Sequence, residues 1–73
     1  MNQKPMTAEV LLLSCHDMQW QLKLDLYLRQ GFDVDLIGFD GHDASYCQIM
    51  SAQHNRYFDV EPEKNIARFR TTT

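Results

Sequence analysis

From Trp20 to Arg29 the chain alternates strictly. Trp20, Leu22, Leu24, Leu26 and Leu28 are apolar, and Gln21, Lys23, Asp25, Tyr27 and Arg29 fill the gaps. On a β-strand all five apolar side chains face one way. On a helix, at about 100° per residue, Trp20, Leu24 and Leu28 form one stripe, and Leu22 and Leu26 form another roughly 160° away. A chain of 73 residues has little material with which to cover two opposed stripes. Leucine favours helices, but only as a weak prior, so the alternation predicts a strand. Gln30-Gly31 supplies a turn with a residue free to take positive φ. Phe32, Val34 and Leu36 then resume the alternation against Asp33, Asp35 and Ile37, and Gly38 to Gly41 ends it. Residues 20–41 are expected to form a β-hairpin with one wet face.

The flanking segments extend this pattern. Thr7 is a suitable helix cap, Glu9 suits the positive end of a helix, and Val10 to Cys15 continue apolar. A helix over 7–18 is expected. A buried parallel strand is the alternative, since so short an apolar run has no decisive period. Tyr46, Gln48 and Met50 alternate with Cys47, Ile49 and Ser51, suggesting a third strand. Arg56 to Val60 and Ile66 to Phe69 suggest two more, with Pro62 in the break between them, where no ladder donor is needed. The expectation is one domain over 1–73: an N-terminal helix at 7–18 and a β-barrel at 19–70.

Composition narrows the function classes. The net charge of −3 argues against a dedicated binder of phosphate backbones, although Arg68 and Arg70 could form a local basic strip. Cys15 and Cys47 are the only cysteines. Their spacing is neither a CxxC pair nor a secreted framework, which points to free thiols in the cytoplasm. Leu12-Leu13-Ser14-Cys15 imitates a lipoprotein cleavage box, but the apolar run before it is shorter than the roughly 7–15 residues of a signal peptide. No stretch approaches the roughly 18 apolar residues of a membrane span. Cys15, His16, Asp17, His42, Cys47 and His54 show no zinc-ligand spacing, and no third group orients a Cys–His nucleophile. No metal, no cofactor and no catalytic residue is expected.

Two families are resembled. A short helix followed by five short strands is the order of Sm-like barrels. DLYLRQG (25–31) resembles the first-strand end and turn of Hfq proteins, and DLIGFDG (35–41) the second-strand end of Sm and Hfq proteins. EKNIARF (63–69) is similar to their last-strand motif, with Lys64 matching and Asn65 standing where Hfq has histidine. The chain also resembles Rof, the acidic Sm-like Rho inhibitor, in LLLSC (11–15) and in Lys64-Asn65-Ile66. Separately, EVLLLSCHDMQ (9–19) followed by LYLRQGFDVD (26–35) resembles the first strand, first helix and second strand of a signalling receiver. The acidic pair of a receiver is reduced to Asp17, and neither a phosphoacceptor nor a later lysine can be placed. Phosphotransfer is therefore not expected.

The Sm-like resemblance implies a mainly β fold, a five-stranded antiparallel barrel with one helix, and a non-enzymatic binding role in RNA metabolism. As a Rof-like regulator the protein would dock an acidic face, Asp33, Asp35, Asp40 and Asp43, onto a basic protein such as a transcription termination factor. Trp20, which core or rim packing explains most simply, would be the anchor in this reading. As an Hfq-like homo-oligomer it would bind single-stranded RNA through Tyr27, Arg29, Lys64, Arg68 and Arg70. A degenerate receiver-like signalling fragment is the third expectation.

Overall fold

A computed structural model describes residues 9–71. The chain runs through strand β1 (Val10–Ser14), helix α1 (Trp20–Arg29), strand β2 (Asp33–Ile37), helix α2 (Ala44–Gln53), strand β3 (Arg56–Glu61) and strand β4 (Ile66–Thr71). The strands form one open sheet in the order β1-β2-β4-β3. β1 and β2 are parallel, and β4 is antiparallel to both of its neighbours. The five-stranded barrel is therefore not formed: the protein is a small α/β sandwich with a four-stranded mixed sheet.

The largest correction falls on residues 20–29, which are helical. Trp20, Leu24 and Leu28 are buried as one stripe, as a helical reading of the segment requires. The second stripe stays largely in solvent: Leu22 and Leu26 remain 65% and 47% exposed. Asp17 organises the turn before the helix, its side chain accepting from the Gln19 amide at 2.9 Å while its carbonyl accepts from the Trp20 amide at 3.0 Å. Gln30-Gly31, expected as a hairpin turn, ends the helix instead. The Gly31 amide donates to the Leu28 carbonyl and the Phe32 amide to the Tyr27 carbonyl, both at 3.1 Å. Gly31 sits at φ +98°, and the Tyr27 and Phe32 rings meet edge-on at 6.5 Å. This is a Schellman stop with its apolar clasp.

Two further segments differ from expectation. Val10–Ser14 is a parallel strand and not part of an N-terminal helix; the remainder of that expected helix before residue 9 lies outside the described residues. The third expected strand, around 46–51, lies within α2, where Cys47, Met50 and Ser51 are buried at helical spacing. The remaining strands stand close to where the alternation put them.

One face of the sheet carries the core. Leu13, Val34, Leu36, Ala67 and Phe69 join Trp20, Leu24 and Leu28 of α1 and Cys47 and Met50 of α2 in one apolar cluster, so both helices cover the same face. Burying each large side chain contributes roughly 2–3 kcal/mol. The other face is polar along β2, β4 and β3. Arg70 lies 2.7 Å from Asp35, Arg68 lies 2.7 Å from Glu61, and Lys64 reaches Glu61 at 3.6 Å.

Two polar links close the fold. Asp33 is 6% exposed and accepts from Arg56 at 2.9 Å and from the Thr71 amide and hydroxyl. Arg56 also donates to the Leu28 carbonyl, so one guanidinium ties β3 to β2 and to the last turn of α1. Removing one member of a buried pair strands the other. Arg56→Met is predicted to cost about 3 kcal/mol, read as a lower urea midpoint.

Between the helices, His54 sits 2.7 Å from Asp25, which also pairs with Arg29 at 2.5 Å. The His54 hydrogen bond, with Arg29 adding to it, holds the Asp25 carboxyl below the usual carboxylate range. A carboxyl depressed on folding stabilises above its unfolded pKa, about 3.9, and that stabilisation fades as pH falls through the folded value. Asp25→Asn is predicted to flatten the fall in melting temperature below about pH 4 while lowering the melting temperature at pH 7.

Candidate functional site at the carboxyl ends of the parallel strands

Open α/β sheets bind ligands beyond the carboxyl ends of their parallel strands. Here that end is built from two loops. After β1, Ser14 organises the turn: its hydroxyl accepts from the His16 amide at 3.0 Å and its carbonyl from the Asp17 amide at 3.1 Å. After β2, Gly38 takes φ +72°, and a Cβ placed there would stand 3.2 Å from His16 Nε2. The imidazole thus lies close against a backbone position whose positive φ favours glycine. Asp40 then accepts from the His42 amide at 3.0 Å and lies 2.7 Å from His42 Nδ1, which pins the short turn Gly41–Asp43 leading into α2.

The two thiols belong to this end. Cys15 is half-buried and Cys47 fully buried, and both are free. Burial, with Asp43 and Asp40 adding negative potential, pushes the Cys15 thiol up to about 11. Burial, then Cys15 and Asp43, pushes Cys47 up to about 12. Both are neutral thiols at pH 7, and thiolate is the reactive form. Among the described residues no group of three or more His, Cys, Asp or Glu side chains is placed to hold a metal ion. What the loops present is negative charge beside apolar surface. Asp17 bonds Lys23 at 2.5 Å, which holds its carboxyl low, and Met18 is 98% exposed.

The sequence-predicted residues do not form one surface. Of the acidic set, Asp33 is sealed against Arg56 and Asp35 pairs with Arg70, whereas Asp40 and Asp43 lie together in the loop before α2. Trp20 is 8% exposed and meets Tyr46 edge-on at 5.5 Å, as a core residue. The RNA set is scattered. Arg68 and Arg70 are on β4, Lys64 is in the β3–β4 connection, and Tyr27 and Arg29 are at the far end of α1. Each of these four cations already holds a carboxylate.

The surface that sequence reasoning missed runs along α1. Leu22 and Leu26, at i and i+4, share its outward side, and Met18 is exposed in the turn before the helix. The signal was the second helical stripe, which the strand reading folded into the first. Ile49, 60% exposed, lies three residues on from Tyr46, whose hydroxyl donates to the Gln21 carbonyl of α1 at 3.1 Å.

No family model matches the chain, and comparisons with curated proteins and with solved structures return no match. Among the described residues no helix is long and apolar enough to cross a membrane.

The thiol environment has a direct readout. Cys15 is predicted to alkylate at pH 8 about a hundredfold more slowly than an exposed cysteine. Its rate should still be climbing at pH 10, and Asp43→Asn should shift the profile to lower pH. Alkylation by iodoacetamide, followed site by site with mass spectrometry, checks both.

Proposed function

We propose that the protein is a non-enzymatic binding module that docks onto a partner protein through the outward side of α1. The observation that carries this reading is the exposed pair Leu22 and Leu26 on α1, with Met18 exposed in the turn before it. Single exposed apolar residues are ordinary, whereas neighbouring ones on one side of a helix offer a contact surface. Knob-like leucines at i and i+4 suit an apolar groove or a second helix on the partner. The acidic loop gives the surface a charged border, since Asp40 and Asp43 stand at the same end of the fold as Met18 and Asp17. The partner chemistry that fits is an apolar patch edged by basic residues.

This keeps the expected acidic docking for Asp40 and Asp43 and removes Asp33 and Asp35 from it, because their charges are neutralised within the chain. An RNA-binding protein would offer basic edges of this kind. The link to RNA metabolism rested on the barrel resemblance, however, so charge and apolarity now specify the partner. Direct RNA binding draws less support, with Arg29, Lys64, Arg68 and Arg70 each paired to a carboxylate. Neutral thiols support a role without catalysis. Free cysteines suit a reducing compartment, and we place the protein in the cytoplasm.

A second reading makes Cys15 a reactive thiol. It is favoured by one observation: Cys15 is only half-buried and stands where parallel α/β sheets hold ligands. In this reading a cationic partner on Asp40 and Asp43 offsets their potential and lowers the Cys15 pKa, so docking would activate the thiol.

Crosslinked capture from lysate, compared across variants, tests the docking surface. Leu22→Ser with Leu26→Ser should abolish recovery of a basic-edged partner. Asp40→Asn with Asp43→Asn should weaken it and reduce its salt dependence. A partner retained equally by both variants would overturn the proposal. Faster Cys15 alkylation in the presence of the captured partner would favour the second reading.

A further inference from the structure

We infer that the open edge of β1 is a self-pairing surface, on which a second copy of this chain adds its own β1 antiparallel and makes one continuous sheet. The inference rests on the phase of the backbone. The Asp33 amide donates to the Glu9 carbonyl and the Cys15 amide to the Ile37 carbonyl, each at 2.9 Å. In a parallel pair, alternate residues direct both backbone groups at the neighbouring strand. Glu9, Leu11, Leu13 and Cys15 therefore face β2, whereas Val10 and Leu12 point both backbone groups, and Ser14 its N–H, out of the sheet, the Ser14 carbonyl accepting from the Asp17 amide. β1 has no neighbour on that side among the described residues.

These outward groups are self-complementary. A two-fold axis at Leu12 sets Leu12 against Leu12 of the second copy, Val10 against its Ser14 and Ser14 against its Val10. The Leu12 pair exchanges both of its bonds, and each flanking pair is joined by a Ser14 N–H donating to a Val10 carbonyl. The side chains agree with this arrangement. Leu12 and Val10, 70% and 46% exposed, would meet their counterparts on the uncovered face of the sheet. No charge, proline or bulge interrupts Val10–Ser14. These are the devices by which sheet edges resist pairing, and the opposite edge has them: β3 carries Arg56, Asp59 and Glu61 and runs into Pro62. The contrast between the two edges selects β1, and the two-fold closes the assembly at a dimer because the β3 edges stay protected. A contact of one short strand falls below the area of stable interfaces, about 1,200 Å², so the dimer is weak and depends on concentration.

Sedimentation equilibrium of the full chain, from about 5 to 500 μM, reads this directly. The expected mass rises from that of the 8.6 kDa monomer towards twice that value. Leu12→Lys, which places two like charges on the axis, should hold the chain at monomer mass with an unchanged circular dichroism spectrum. Leu12→Pro, which removes an outward N–H and puts ring bulk on the open edge, should do the same. Leu22→Ser, on the helix face proposed to take the protein partner, should leave the monomer–dimer curve unmoved, so the two surfaces fail separately. Amide exchange locates the contact. In wild type, the Leu12 and Ser14 amides should slow by tenfold or more from the lowest to the highest concentration, while the Leu11 and Leu13 amides stay protected throughout. A monomer at every concentration, assembly beyond a dimer, loss of the dimer in Leu22→Ser, or a dimer with fast Leu12 exchange would each overturn the inference.

Discussion

The packing of Trp20, Leu24 and Leu28 against the sheet is the contact on which the rest of the molecule depends. Leu24 is fully buried and Leu28 nearly so, in one cluster with Val34, Leu36 and Phe69. Docking that stripe sets the direction of the chain between β1 and β2, makes their pairing parallel, and brings both of their loops to one end. The Schellman stop at Gly31 and the guanidinium of Arg56 hold the other end of α1, through the Leu28 carbonyl and Asp33. A chain of this size has little core to spare. It spends one helix stripe on that core and leaves the other in water, so the surface given to binding follows from the same packing choice that makes the fold.

How much of this was legible depended on whether a local pattern had one structural meaning. β2, β3 and β4 alternate between a core face and a wet face, and turn residues bound them, so their positions could be read from the chain. Val10–Ser14 was equally compatible with a helix turn or a buried strand, because a short apolar run has no period. Residues 20–29 failed for a different reason. Their alternation fits a strand perfectly, and the helix was set aside on the premise that both of its stripes needed cover. Leu22 and Leu26 break that premise. The Gln30-Gly31-Phe32 signal was real but bivalent, since glycine at positive φ serves a hairpin turn and a helix stop alike. In α2, Cys47, Ile49 and Met50 spread apolar side chains over more than one side and mask the helical period.

The candidate sites divide along similar lines. Asp40 and Asp43, on either side of Gly41 and His42, were identifiable as loop carboxylates, and Asp40 is exposed while Asp43 is half-buried. The fates of Asp33 and Asp35 were not, because Arg56 and Arg70 stand far away in sequence and meet them only through strand order. Trp20, for which core or rim packing was the plainer reading and a partner anchor the sharper one, lies in the core. Residues 9–35 run strand, helix, strand, an order that the hairpin reading of 20–41 had set aside, and Asp17 in the turn after β1 is engaged by Lys23. The open sheet of order β1-β2-β4-β3 departs from the barrel that the Sm-like resemblance implied.

The central claim is that α1 buries one leucine stripe and exposes the other, and methyl NMR with a soluble paramagnetic agent tests it most directly. A helix packed as described leaves the Leu22 and Leu26 methyls strongly broadened, and those of Leu24 and Leu28 protected. A strand would place Leu22, Leu24, Leu26 and Leu28 on one face, and equal protection of all four would contradict both the fold and the docking surface built on it.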